Sequence, residues 1–225
     1  MSYECQIVVD FEFNPVKKEF RELIKDEIIE IGAVKLNPQY EEIGRFSCLV
    51  KPELSDGVSP TITKLTGIRT ADLEEAVDFE TAIGLFSTWA GPASCRVISW
   101  SDNDLRQLSK ECWIKSVPFP ANLYRWMDFQ KVWQRIIHYP HNLCMSLKYA
   151  AECAGVEFDD SHAHRALYDS EVTAEILKLT KDEAYLKNLA RAKTHVVTEV
   201  KHSSYSIGSV CGNKLAELMA RLECA

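Results

Sequence analysis

The stretch Ile7-Val8-Val9-Asp10-Phe11-Glu12-Phe13 decides how this chain reads. Its apolar half marks a buried strand over residues 4–13, and such a strand should not normally end in two ionisable residues. Side chains alternate faces along a strand, so Asp10 and Glu12 point the same way. Two carboxylates side by side repel, and one takes up a proton unless a cation sits between them. Clustered hard oxygen ligands suit Mg²⁺ or Mn²⁺. The pattern predicts a metal site at the end of a strand.

Two further blocks carry matching chemistry. One is Val97-Ile98-Ser99-Trp100-Ser101-Asp102-Asn103-Asp104-Leu105, and the other is His164-Arg165-Ala166-Leu167-Tyr168-Asp169. Asp104 is expected just past a short strand, at the start of a helix. Asp169 is expected one turn into another helix, with His164 on the loop leading in. Ligands gather at strand ends in open α/β sheets, and acids are tolerated near helix N-termini. Two metal ions held by such carboxylates can neutralise a phosphodiester and orient a water. A histidine with an ordinary pKa of about 6.5 is suited to take that water's proton. The blocks together imply a two-metal phosphodiesterase site.

Working outward, residues 14–26 read as a polar surface loop. Alternation over 27–37 and 43–51 predicts two more strands, a three-strand meander with the first. Thr61 is a candidate cap for a short helix stopping at Gly67. Residues 78–90 are helical, with Asp78 as cap. A fourth strand is expected at 95–100, a helix at 103–112, a fifth strand at 123–128 and helices at 129–138, 146–154 and 165–180. Strands alternating with helices predict an α/β layer fold. Residues 181–225 differ in character and read as a C-terminal helical and extended appendage to a domain spanning 1–180. A charged helical stretch occupies 181–193, and an amphipathic helix 213–222.

The bulk numbers fit this picture. The 225 residues are 46% hydrophobic and 26% charged, as in an ordinary soluble globular protein. No apolar run approaches the roughly 18 residues of a membrane span, and no secretory signal is legible. Eight cysteines without CxxC spacing predict free thiols in a reducing cytoplasm. A net charge of −7 argues against coating nucleic acid through bulk charge. It leaves open an enzyme that cuts nucleic acid, because bound divalent ions reverse the local sign.

The three blocks, in this order, resemble the three motifs of the DEDDh 3′→5′ exonucleases, which have a ribonuclease-H-like fold. The D-x-E is Asp10-Phe11-Glu12, the second acid matches Asp104, and the H-x-A-x-x-D runs from His164 to Asp169. The resemblance covers residues 5–180, with support from DEIIEIGAV (26–34), LTGI (65–68) and SLKYAAECAGVEF (146–158). VDFEF and the tryptophan of ISWSDNDL look most like the branch of KapD and the Eri-type RNA exonucleases. Phe13 stands where proofreading branches usually carry threonine.

The resemblance implies a mixed five-stranded sheet flanked by helices, and two Mg²⁺ or Mn²⁺ ions. Asp10 would bridge both ions, Glu12 and Asp169 would hold the nucleophile-side ion, and Asp104 would support the other. His164 would be the general base. Phe11, Leu65, Thr66 and Ile68 would frame a terminal nucleotide, with donors near Phe11 and Thr66 meeting its 3′-OH. The substrate would be a 3′ end of RNA or short single-stranded nucleic acid, released as 5′-mononucleotides.

Neighbouring residues compete for these roles. Asp102 competes with Asp104, whose spacing to Leu108 fits the second motif; Asp102 then reads as a helix cap. His162 competes with His164, which has the five-residue gap to Asp169. Arg165 is a phosphate candidate beside His164, and Trp100 a candidate for base stacking. Lys17, Lys18, Arg21 and Lys25 either bind phosphates or form a solvated face. The 213–222 helix is expected to dock on its own domain or on a twin subunit in a homodimer. Two rival readings remain: a non-catalytic regulatory, protein-binding module on an exonuclease scaffold, and a DNA proofreading or repair exonuclease.

Overall fold

A computed structural model describes residues 3–91, 95–140 and 142–193. Strand β1 (Cys5–Pro15) is central, because both of its faces are apolar over Ile7–Val9 and both are covered. β1 pairs antiparallel with β2 (Asp26–Leu36), which pairs antiparallel with β3 (Glu42–Leu49). On its other side β1 runs parallel to β4 (Cys95–Ser99), which runs parallel to β5 (Trp126–Asp128). The sheet order is β3-β2-β1-β4-β5, the expected mixed five-stranded sheet.

Helices cover both faces. Ile7, Val9 and Phe11 pack with Phe79, Ile83 and Phe86 of α2 (Phe79–Ala90) and with Leu108 and Cys112 of α3 (Asn103–Ile114). Val8, on the opposite face, packs with Val34 and Ile98 beneath α4 (Phe129–Ile136), α5 (Leu147–Ala154) and α6 (Ala166–Leu179). Asp10 and Glu12 share the parity of Val8, so they face the α6 side. α7 (Glu183–Lys193) lays Tyr185, Leu186 and Leu189 against this second core, and the Tyr185 hydroxyl donates to Ala154 O at 2.7 Å. The helix expected at 213–222, and the homodimer contact expected of it, lie outside the described residues.

Several local expectations need correction. The short helix α1 (Pro60–Thr66) is capped by Ser59, whose side chain accepts from Ile62 N at 3.3 Å, and not by Thr61. The reason is Pro60, whose fixed φ and missing N–H favour the first helical position. Gly67 ends α1 in the left-handed conformation, φ 76°, as expected. The fifth strand is confined to Trp126–Asp128, since β4 offers only Val97–Ser99 as partner and Ala121–Leu123 forms a 3-10 turn. β1 extends through Asn14 and Pro15 into the stretch read as loop. The cysteines are not all free: Cys5 and Cys95 are direct neighbours across β1 and β4, with Cα atoms 4.6 Å apart, and form a disulfide. Cys48, Cys112, Cys144 and Cys153 are free thiols.

Candidate active site

Three segments converge beside β1 because of where its pairing ends. The β1–β4 ladder stops at Val8↔Ile98, so the backbone beyond it lacks a strand partner on that side. The Phe11 N–H is taken by Asp104 Oδ1 at 3.2 Å, which draws the first turn of α3 against β1. On the β2 side Asp10 pairs with Gly32 and Glu12 with Glu30, and the register shifts immediately after Glu12. Such bulges re-aim side chains next to functional sites.

Gly32 admits the third segment. A Cβ there would lie 2.0 Å from Leu167 N and 2.1 Å from Ala166 C, so the first turn of α6 rests directly on the β2 backbone. His164 precedes that turn with φ +61°, a conformation side chains seldom adopt. The His164 N–H donates to Asp169 Oδ2 at 3.2 Å. Ligand atoms of Glu12, His164 and Asp169 all lie within 4.8 Å of one another.

The electrostatics are those of a buried acidic cluster. Burial, then Asp104, Asp169, Glu12 and Glu30, hold the Asp10 carboxyl well above the usual carboxylate range. Burial, then Asp169 and Glu30, do the same to Glu12. Burial raises both Asp104 and Asp169 to about 7, against the pull of the N–H groups of Phe11 and His164 respectively. Asp169 Oδ1 is buried without a hydrogen-bond partner. A buried orphan oxygen among neighbouring carboxylates fits a hard divalent cation. Burial lowers the His164 imidazole, which favours its neutral, proton-accepting form.

The other candidates separate. Asp102 stands before α3 but makes no cap bond; its carboxylate pairs with Arg106 at 2.6 Å and Lys131 at 3.5 Å. His162 is exposed and bonded to Asp159 at 2.9 Å. Lys17 is paired with Asp56 at 2.6 Å. Trp100 is a core residue: it is 8% exposed, donates to Met145 O at 3.0 Å and meets Phe129 edge-on. Phe11 and Ile68 are buried in separate cores. The Thr66 hydroxyl is committed locally, donating to Ile62 O and accepting from Ile68 N, each at 3.0 Å. Of the four residues expected to frame a nucleotide, only Leu65, 38% exposed, offers apolar surface. Arg165 is half-exposed, and its Nε and Nη2 grip Glu30.

Glu30 is the residue that sequence reasoning missed. It is 1% exposed and directly opposite Glu12. A signal was present: an acid within the apolar strand Asp26–Leu36, two residues before the glycine that meets α6.

The family model described as Exonuclease matches residues 7–177. The chain belongs to this exonuclease family. It is similar to ERI1 exoribonuclease 2 of Mus musculus, 29% identical over 221 residues, covering 88% of this chain and 31% of that protein. It thus spans about a third of that relative's length. It is also similar to the probable 3′-5′ exonuclease KapD of Bacillus subtilis (strain 168), 25% identical over 189 residues, covering 83% of this chain and 90% of that protein. Among solved structures, the nuclease domain of 3′hExo, a DEDDh family member bound to rAMP, superposes with a TM-score of 0.71. That match has 23% identity and covers 81% of this chain and 94% of that one, which establishes the ribonuclease-H-like fold.

Proposed function

We propose that this chain is a divalent-metal-dependent 3′→5′ exonuclease that removes 5′-mononucleotides from RNA or short single strands. The observation that supports the reading is the group Glu12, His164 and Asp169, whose ligand atoms lie within 4.8 Å of one another, with Asp104 bonded to the N–H of Phe11 between Asp10 and Glu12 and a buried Asp169 oxygen left unpartnered. Asp10, Glu12, Asp104 and Asp169 would hold Mg²⁺ or Mn²⁺. When bound, such ions would neutralise the phosphodiester and help the leaving 3′-oxygen. His164 accepts the proton of the attacking water through a ring nitrogen kept neutral by burial. Leu65 offers its exposed side chain to the terminal base. An RNA substrate is supported by the relatives named exoribonucleases and by the rAMP in the similar nuclease domain. A cytoplasmic location accompanies this reading; the free thiols of Cys48, Cys112, Cys144 and Cys153 favour it and the Cys5–Cys95 pair does not.

The test is a time course on 5′-labelled single-stranded RNA with and without Mn²⁺, beside matching DNA and RNA with a 3′-phosphate block. A metal-dependent ladder shrinking from the 3′ end and stopped by the block is expected, with RNA cut faster than DNA. Asp10→Ala should abolish it and leave the fold intact. No cleavage by folded protein would reject the enzyme reading in favour of a binding module.

A further inference from the structure

We propose that Glu30 and Arg165 form a positioning pair that docks the N-terminus of α6 and so aims His164 and Asp169 at Asp10 and Glu12. The inference rests on the reading of those four as the working site, and deepens it.

Glu30 uses both carboxylate oxygens on one target. Arg165 Nε donates to Oε1 at 3.2 Å and Oε2 at 3.1 Å, Nη2 donates to Oε1 at 2.7 Å, and Ala166 N donates to Oε2 at 3.0 Å. The Ala166 bond satisfies a free N–H at the start of α6, a helix whose own preceding residue supplies no side-chain cap. Glu30 thus caps a helix that begins 136 positions away in sequence. Gly32, on the same face of β2, removes the Cβ that would hold α6 off.

A merely stabilising pair would be poorly placed here. Glu30 is buried directly opposite Glu12 across the strands, so the pair sets a further acid beside the site. Well-packed apolar residues often stabilise as well as an ion pair with one buried member. The fixed fork of Arg165 supplies direction, which an apolar contact lacks. Its backbone lies between His164 and the helix, so gripping Arg165 fixes the residue that follows the left-handed His164. Strained residues persist where their surroundings over-determine them. His164 is held from one side by the Glu30–Arg165 grip and from the other by its N–H bond to Asp169.

The experiment compares wild type, Glu30→Gln, Arg165→Gln, Arg165→Lys and the double Gln variant, all in the full chain. Turnover and KM on the RNA oligonucleotide are measured across a salt series. Hydrogen exchange is followed in the peptide covering 160–170. Positioning predicts that kcat falls about 10²-fold with KM little changed. The double variant should be no worse than the poorer single one. Arg165→Lys should restore only part of kcat, because a point charge lacks the fork. Exchange should quicken in 160–170. If Arg165→Gln instead raises KM and lowers the salt slope by about 1 with kcat intact, Arg165 is a phosphate ligand and the proposal fails. Wild-type kcat in both Gln variants also overturns it. Should Glu30→Gln not fold, the half-exposed Arg165 variants carry the test. If wild type itself turns over no substrate, the exonuclease reading falls, and the exchange result alone decides whether the pair docks α6.

Discussion

Gly32→Ala should disable the site by a steric route that involves no functional group. The added Cβ would sit 2.0 Å from Leu167 N and 2.1 Å from Ala166 C, where ordinary contact begins at 3.4 Å. Both obstacles are backbone, so no rotamer change relieves them. Either β2 or α6 must retreat by more than an ångström. Gly32 is paired with Asp10, and α6 carries Asp169 with His164 just ahead of it, so retreat separates the two halves of the site. Overpacking of this kind costs about 3 kcal/mol, which lowers the Tm of a chain this size by roughly 6–12 °C. Misplacement on this scale costs about 10²-fold in turnover. Gly84→Ala is the control. Gly84 lies within α2, a Cβ there meets nothing within 4 Å, and the change should add about 0.5–1 kcal/mol through helix propensity. Thermal melts and single-turnover cleavage of labelled RNA read both variants. A Gly32→Ala protein with an unchanged melt and near-normal turnover would refute the docking of α6 on Gly32.

Further outcomes follow from the same geometry. Asp104 and Asp169 are raised to about 7 from 3.8, so between those values the folded state binds more protons than the unfolded one. Stability contributed by the protonated forms is complete below the lower value and lost as pH rises through the upper one. In chelator the Tm should therefore be higher near pH 5 than near pH 8, and Mn²⁺ should raise it most at the higher pH, since ligands bind deprotonated; a metal shift independent of pH would sink this. Trp100→Ala should cost about 3–5 kcal/mol in denaturant titrations. Trp100→Phe should leave the KM for RNA unchanged, whereas a raised KM would reinstate a stacking role. Lys115 lies 2.9 Å from Glu111 and 3.6 Å from Glu27, both fully buried, so Lys115→Met strands their charges. A loss of about 3–5 kcal/mol in urea unfolding is expected, and a near-neutral result would contradict the pairing.

The sequence alone determined whatever depends on residues near one another in the chain. Period-two alternation found the meander, period 3.6 found α2 and α6, and Asp10 with Glu12 had to share a face because strand geometry allows nothing else. The order of the three acidic blocks was enough to resemble one exonuclease class, and the family match at residues 7–177 agrees. Tertiary structure decided what depends on which strangers meet. Two of the residues expected to frame a nucleotide, Phe11 and Ile68, were claimed by two cores, and the stacking candidate Trp100 by a third set of neighbours. Cys5 and Cys95 became partners only through the β1–β4 register. Arg165 looked free until β2 placed Glu30 beneath it, because a charged side chain announces its charge in sequence but not its counter-ion. Register and docking are long-range properties, set when whole faces are buried together, and no local period encodes them.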